Sequence, residues 1–218
     1  MKKVVLNYLV IAAFAVLAAF TSCNKDGDEN VGSVIDKITA NVEGGAKYNG
    51  VITKVKLGTG NRDEKEEVLA TGNWSNGGFT IELPKTVDAK YLEPMFDEDN
   101  IPPTVTISNK DAKFCETWII GYDKDDKYVD GFIYGNKNKE VNTHYWAEYI
   151  YADSDINISG TYEDRVLSIS LKKGWNVTYT TMSCKREDEI TRCTMERFLS
   201  TTVSGMKWYC DDGFWGWD

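Results

Sequence analysis

The sequence predicts an all-β protein: a single antiparallel β-sandwich or barrel-like domain of about ten to twelve short strands behind a cleaved signal peptide. Three observations carry that expectation. Apolar and polar residues alternate at period two through most of the chain beyond residue 33, the pattern of strands with one buried face. Turn-forming pairs, Asn76-Gly77 foremost, fall between the alternating runs, where hairpins need them. No helical pattern in that region is long enough to carry a fold.

Residues 1–22 read as the leader. Lys2 and Lys3 precede an apolar run from Val4 to Phe20 that ends at Thr21-Ser22-Cys23. A charged start, an apolar middle and small residues at the cut site mark a secretory signal peptide. A transmembrane helix over Val4 to Phe20 is the poorer reading, because the run is short for a span and includes Asn7 and Tyr8. Since the small residues lead directly into a cysteine and an acidic stretch, Asn24-Lys25-Asp26-Gly27-Asp28-Glu29, follows, the segment resembles a bacterial lipoprotein signal with its lipobox. The acidic stretch is similar to the export tag on surface lipoproteins of Gram-negative gut anaerobes.

That resemblance implies a diacylglyceryl thioether and an acylated amino group on Cys23, and so a lipid anchor in the outer membrane at the cell surface. Each buried methylene contributes about 0.8 kcal/mol, so several acyl chains make a permanent anchor where one is marginal. Residues 23–32 are then the anchor and a flexible acidic tether, and the all-β domain runs over 33–218.

Within that domain the alternation is plainest in Val51, Thr53, Val55 and Leu57, in Phe79, Ile81 and Leu83, in Leu167, Ile169 and Leu171, and in Trp175, Val177 and Tyr179. Asn76-Gly77 and Lys172-Lys173-Gly174 both read as hairpin turns. Val87 to Leu92 fits a single helical turn before Pro94, and Glu187 to Arg197 fits a helix on charge pattern alone. Pro102-Pro103 marks an extended connection that divides the strands into two sets.

Composition removes several function classes. The formal charge is -9, and loss of Lys2 and Lys3 with the leader makes the mature chain more acidic. Such a surface repels phosphate backbones and anionic headgroups, so nucleic acid is not an expected partner and the membrane is met through lipid. His144 is the only histidine and no nucleophile elbow occurs, which leaves nucleophilic catalysis without its base. Glu148, Asp153, Asp155, Glu163 and Asp164 are too many to single out a glycosidase pair, which needs two carboxyls about 5–9 Å apart across a cleft. No catalytic residue is therefore assigned and the chain does not read as an enzyme. The acidic turns Asp97-Glu98-Asp99-Asn100 and Asp123-Lys124-Asp125-Asp126 read as solvated loops, the second departing from a calcium loop at Lys127 and Tyr128. No metal or cofactor is expected.

Of the five cysteines, four remain once Cys23 carries lipid: Cys115, Cys184, Cys193 and Cys210. An even number outside the cytoplasm permits two bridges. Cys184 and Cys193 flank Lys185 to Arg192, which reads as a hairpin tip, and a bridge there contributes roughly 3 kcal/mol. Cys115 then pairs with Cys210, with four buried free thiols as the alternative.

The aromatic residues give the functional lead. Tyr145, Tyr149 and Tyr151 share one strand face while Trp146 lies on the other. The C-terminal run Asp211 to Asp218 sets Phe214, Trp215 and Trp217 around two glycines; it either docks on its own sheet or projects to a partner. Aromatic side chains suit sugar rings, which combine an apolar face with a polar edge. Trp146, Trp215 and Trp217 are the candidate ligand contacts. The expected function is a non-catalytic binding module for a glycan or another extracellular ligand, with a fimbrial-type structural subunit as the alternative.

Overall fold

The computed structural model describes residues 34–60, 67–96, 101–138, 143–163, 165–187, 190–199 and 203–211, with backbone alone for 137–138, 184–187 and 190–199. Among them are fifteen strands: β1 Lys37–Asn41, β2 Lys54–Thr59, β3 Glu67–Ser75, β4 Gly78–Glu82, β5 Glu93–Pro94, β6 Val105–Ile107, β7 Lys113–Glu116, β8 Trp118–Tyr122, β9 Tyr128–Asn138, β10 Thr143–Ala152, β11 Ile156–Tyr162, β12 Arg165–Leu171, β13 Gly174–Glu187, β14 Ile190–Leu199 and β15 Lys207–Cys210. Two 3-10 turns, Gly45–Tyr48 and Ala89–Tyr91, complete the set. The all-β expectation holds. The strands beyond the expected number are short ones such as β5 and β6, which are two and three residues long, too short to display a period.

The strands form two sheets that share β9. In the first, the order is β1-β4-β3-β2-β8-β9, antiparallel throughout. The first half of β9, to Gly131, pairs with β8; from Phe132 onward it pairs instead with β15 and β10. Trp208 of β15 in turn bridges Val42, and the Glu43 N–H donates to the Trp208 carbonyl at 2.8 Å. The first sheet thereby curls back on itself like a barrel. The second sheet continues β10-β13-β14-β12-β11-β6, all antiparallel except β12 with β14.

Each sheet has its own core. Ile38, Val55, Leu57, Trp74, Phe79, Ile81, Phe132 and Trp208 fill the first, with Trp74 stacked on Phe132 at 5.3 Å and Phe79 edge-on to Trp208 at 5.2 Å. Phe114, Ile150, Ile156, Ile158, Leu167, Ile169 and Leu171 fill the second. The β10–β13 ladder lies between them: Tyr151 and Trp175 face the first core, while Ile150 and Ala152 face the second.

Several local expectations met different fates. Asn76 and Gly77, with φ of 52° and 79°, close a two-residue hairpin between Ser75 and Gly78, the primed turn for which that pair is suited. The single turn expected near Val87 is the 3-10 turn Ala89–Tyr91, capped by Asp88, whose carboxylate accepts the Lys90 N–H at 3.1 Å. Lys172-Lys173-Gly174, however, does not join a hairpin. β12 and β13 both pair with β14, which lies between them, and the connection is held by Asn176, whose amide bonds Lys172 N, Lys172 O and Gly174 O. Of the stretch Glu187 to Arg197, Glu187 and residues 190–197 are strand rather than helix, because the ladder running from Glu187↔Ile190 to Thr178↔Leu199 overrides charge spacing, while residues 188–189 lie outside the described residues.

The polar face of β13 also departs from expectation. Asn176, Thr178 and Thr180 are 0%, 0% and 1% exposed, whereas Val177 and Tyr179 on the alternating apolar face are only half-buried. A central strand covered on both sides has no solvent face, so its polar residues must be buried too.

Candidate functional site

Where the two sheets part, a crevice opens. β7 pairs with β10 at Phe114–Glu116 and then the chain crosses to the first sheet as β8. The crossing residue is Thr117, whose hydroxyl donates to the Tyr149 carbonyl at 2.7 Å. β9 makes the same change of sheet after Gly131. Two cavities lie at this divide, of about 550 Å³ and about 230 Å³, and Thr117 and Trp118 line both.

Trp118 is set in place by Gly58, its partner across the β2–β8 ladder, at a bulge that begins after Leu57. A Cβ on Gly58 would lie 2.1 Å from Trp118 Cη2 and 2.3 Å from Cζ2, so only glycine lets the indole lie in this position. Next to it, Thr59 donates to the Glu116 carbonyl at 2.8 Å and accepts the Cys115 thiol at 3.2 Å. Trp118 Nε1 is buried and has no hydrogen-bond partner among the described residues. Leaving such a donor unmet costs about 1–3 kcal/mol, which marks it as a group available to a ligand.

The larger cavity adds Lys90, Tyr91, Glu93, Phe114 and Glu116 to the Trp118 wall. Tyr91 is steadied by its hydroxyl, which donates to Glu67 at 2.8 Å, and Lys90 Nζ sits 4.4 Å from the centre of its ring. That contact with Tyr91 raises the Lys90 ammonium above its ordinary value. Glu93 faces Phe114 across the β5–β7 ladder, and Glu116 follows two residues on. Glu93 and Glu116 are thus diagonal neighbours in the ladder.

The smaller cavity is formed by Gly131, Ile133, Tyr134, Trp146, Glu148 and Asp211 among others. Trp146, the tryptophan that strand alternation singled out, lies here half-buried, its Nε1 donating to Glu148 Oε1 at 3.2 Å. Thr180 approaches the other oxygen at 3.5 Å. Asp211 lies over Gly131, with Oδ2 3.2 Å from where a Cβ would stand, and its Oδ1 is buried without a partner among the described residues. Tyr149 stacks on Trp208 at 6.0 Å, and burial, reinforced by Tyr134 and Tyr179, raises its phenol far above the usual value.

The other sequence candidates fall elsewhere. Trp215, Trp217 and Cys23 lie outside the described residues, as does Asp97-Glu98-Asp99-Asn100. Cys184 and Cys193 stand directly opposite in the β13–β14 ladder, a backbone spacing that suits a bridge. Cys115 and Cys210 are not brought together: both are buried free thiols. Cys115 meets Thr59, whereas Cys210 shares its surroundings with Tyr48 and Asp130, and burial pushes both thiols up. Tyr48 donates its hydroxyl to Asp130. His144 is buried on β10 opposite Lys137 and Met182 and lines neither cavity.

The acidic turn after β8 is committed to its own loop. Asp123 accepts the N–H groups of Asp125 and Lys127 at 2.8 and 2.9 Å, while Asp126 pairs with Lys54 and Lys56, each at 3.1 Å. Among the described residues no group of three or more His, Cys, Asp or Glu side chains is placed to hold a metal.

Trp118 escaped the sequence reading because Trp118-Ile119-Ile120 looks like ordinary core strand. In the sequence Gly58-Thr59-Gly60 has the composition of a turn, yet a glycine inside an alternating strand is also the mark of a close approach. Comparison with protein-family models, curated proteins and solved structures finds no match for this chain.

Proposed function

We propose that this protein is a lipid-anchored module of the outer-membrane surface that binds a glycan without chemically altering it. The observation that carries the reading is the Trp118 cleft: an indole wall whose Nε1 donor has no partner among the described residues, set beside carboxylates and further aromatic rings at the parting of two sheets. Its larger cavity falls in the size range of small-ligand sites. Sugars present an apolar ring face for such a wall and hydroxyls for the polar groups around it. The lipobox-like leader ending at Cys23 supports the anchor and the location.

A fimbrial-type subunit would need a long sheet edge for strand addition. The terminal strands described here, β1, β5 and β6, are five, two and three residues long, and β15 meets the chain just past β1 through the Val42–Trp208 bridge, which favours the binding module.

Two measurements test this proposal. Mass spectrometry of the membrane-extracted protein should find an acylated Cys23 as the first residue; retained Met1 with an unmodified thiol would contradict the anchor. Glycan-array binding by the same protein should be lost in Trp118→Ala, and the bound glycan should be recovered intact. A shortened glycan would make the chain a hydrolase and overturn the non-catalytic reading.

A further inference from the structure

We propose that residues 212–218 turn back into the smaller cavity and seat an aromatic ring there, so that this lobe of the cleft is filled by the protein's own chain and the larger lobe alone receives a ligand. The inference stands apart from the carbohydrate reading, since it concerns what fills the lobe in the protein without ligand.

The path of the chain comes first. β15 runs along β9 until Cys210 stands opposite Phe132, and the next residue, Asp211, lies over Gly131 and lines the smaller cavity itself. Phe214, Trp215 and Trp217 follow Asp211 by three, four and six residues. At about 3.3–3.6 Å per residue, even a fully extended chain keeps the Phe214 Cα within about 11 Å of Asp211 and the Trp217 Cα within about 22 Å. Gly213, directly before Phe214, admits the reversal that points the rings inward.

The cavity fits such a ring. Its volume is about 230 Å³, and an apolar cavity of about 150 Å³ already takes a benzene molecule. Ile133, Tyr134, Trp208 and the half-buried Trp146 stand among its walls and offer apolar surface for ring packing. Asp211 Oδ1 is a buried acceptor with no partner among the described residues, and Trp215 and Trp217 each carry an indole N–H that satisfies such an acceptor. Left uncovered, three large aromatic side chains so close in sequence form an apolar patch that invites association. A second copy is the poorer source of the ring: a tether of a few residues gives an effective concentration on the order of millimolar, above that of another chain in dilute solution.

The test uses the isotope-labelled full chain, extracted from the membrane without ligand. Nuclear Overhauser contacts are sought between the side chains of Ile133 and Trp146 and the rings of Phe214, Trp215 and Trp217, assigned through Phe214→Leu, Trp215→Leu and Trp217→Leu. At least one ring should show contacts to both cavity residues, and the leucine variant of that ring should shift the Ile133 methyl signals, which lose their ring current. In a mixture of labelled and unlabelled chains the contacts should remain within one chain. Contacts found only between chains would overturn the proposal in favour of an exchange between two copies. Absence of cavity contacts from all three rings would overturn it and leave the segment to a partner.

Discussion

Replacing Gly58 with alanine tests the link between fold and cleft at a single methyl group. The new Cβ would lie 2.1 Å from Trp118 Cη2, whereas carbon atoms pack at about 3.5–4.0 Å, so the indole must retreat by about 1.4–1.9 Å. Gly58 does not occupy the left-handed region, so alanine meets no backbone penalty and the whole effect is contact. Overpacking of this kind costs about 1–3 kcal/mol, which lowers the melting temperature of a domain this size by about 2–12 °C. Because Trp118 lines both cavities, affinity for glycan should fall by tenfold or more. Gly72→Ala is the control: its Cβ would meet the Thr80 carbonyl oxygen at 2.1 Å, in the first sheet but in neither cavity lining. Thermal unfolding and ligand titration of both variants should show comparable destabilisation, with affinity lost only in Gly58→Ala. Unchanged affinity in Gly58→Ala, or equal loss in both, would refute the reasoning.

Other perturbations follow from the same geometry. Asn176→Ala removes three hydrogen bonds from a fully buried amide and should lower stability by about 2–4 kcal/mol in urea unfolding; Asn176→Asp should not rescue it, since a carboxylate cannot donate to the two carbonyls, and a loss below about 1 kcal/mol would contradict the account. Alkylation without reductant should leave Cys115 and Cys210 unmodified in the folded protein and label only those two after denaturation, with Cys184 and Cys193 bridged; four labelled thiols would end the bridge. Asp123, held down by the Lys127 and Asp125 N–H groups, Asp126 by Lys56 and Lys54, and Asp155 by Lys172 and the Lys173 N–H, all titrate below the ordinary carboxylate value. Each therefore adds stability that is complete above the unfolded-state value, about pH 4, and is lost as pH falls through the lower folded one. Melting temperature should decline from pH 5 to pH 2 less steeply in the Asp123→Asn, Asp126→Asn and Asp155→Asn variants than in the parent, and parallel curves would count against those contacts.

The strand content was legible because period-two alternation and turn chemistry are local. Asn76-Gly77 specifies its hairpin within two residues, and Phe79 and Ile81 announce the buried face of β4 by spacing alone. What was not legible depends on partners distant in sequence. Nothing local in Lys172-Lys173-Gly174 says that β14 will lie between β12 and β13. Burial of Thr178 and Thr180 follows from a second core on the far side of β13, which alternation along one strand does not reveal. The cleft belongs to the same class: Trp118, Glu93 and Trp146 come together only because β8 and β9 change sheets at Thr117 and Gly131. Trp146 was found from its strand face, but Trp118 required the Gly58 pairing.

The most direct test follows the indole N–H resonances of the seven tryptophans in NMR spectra during titration with the best-binding glycan of the array. Trp118 Nε1–H, assigned through Trp118→Phe, should shift more than the N–H of Trp74 or Trp175, which already donate to Asn49 and Pro84. Saturable binding that leaves the Trp118 signal unmoved would place the ligand elsewhere and contradict the site.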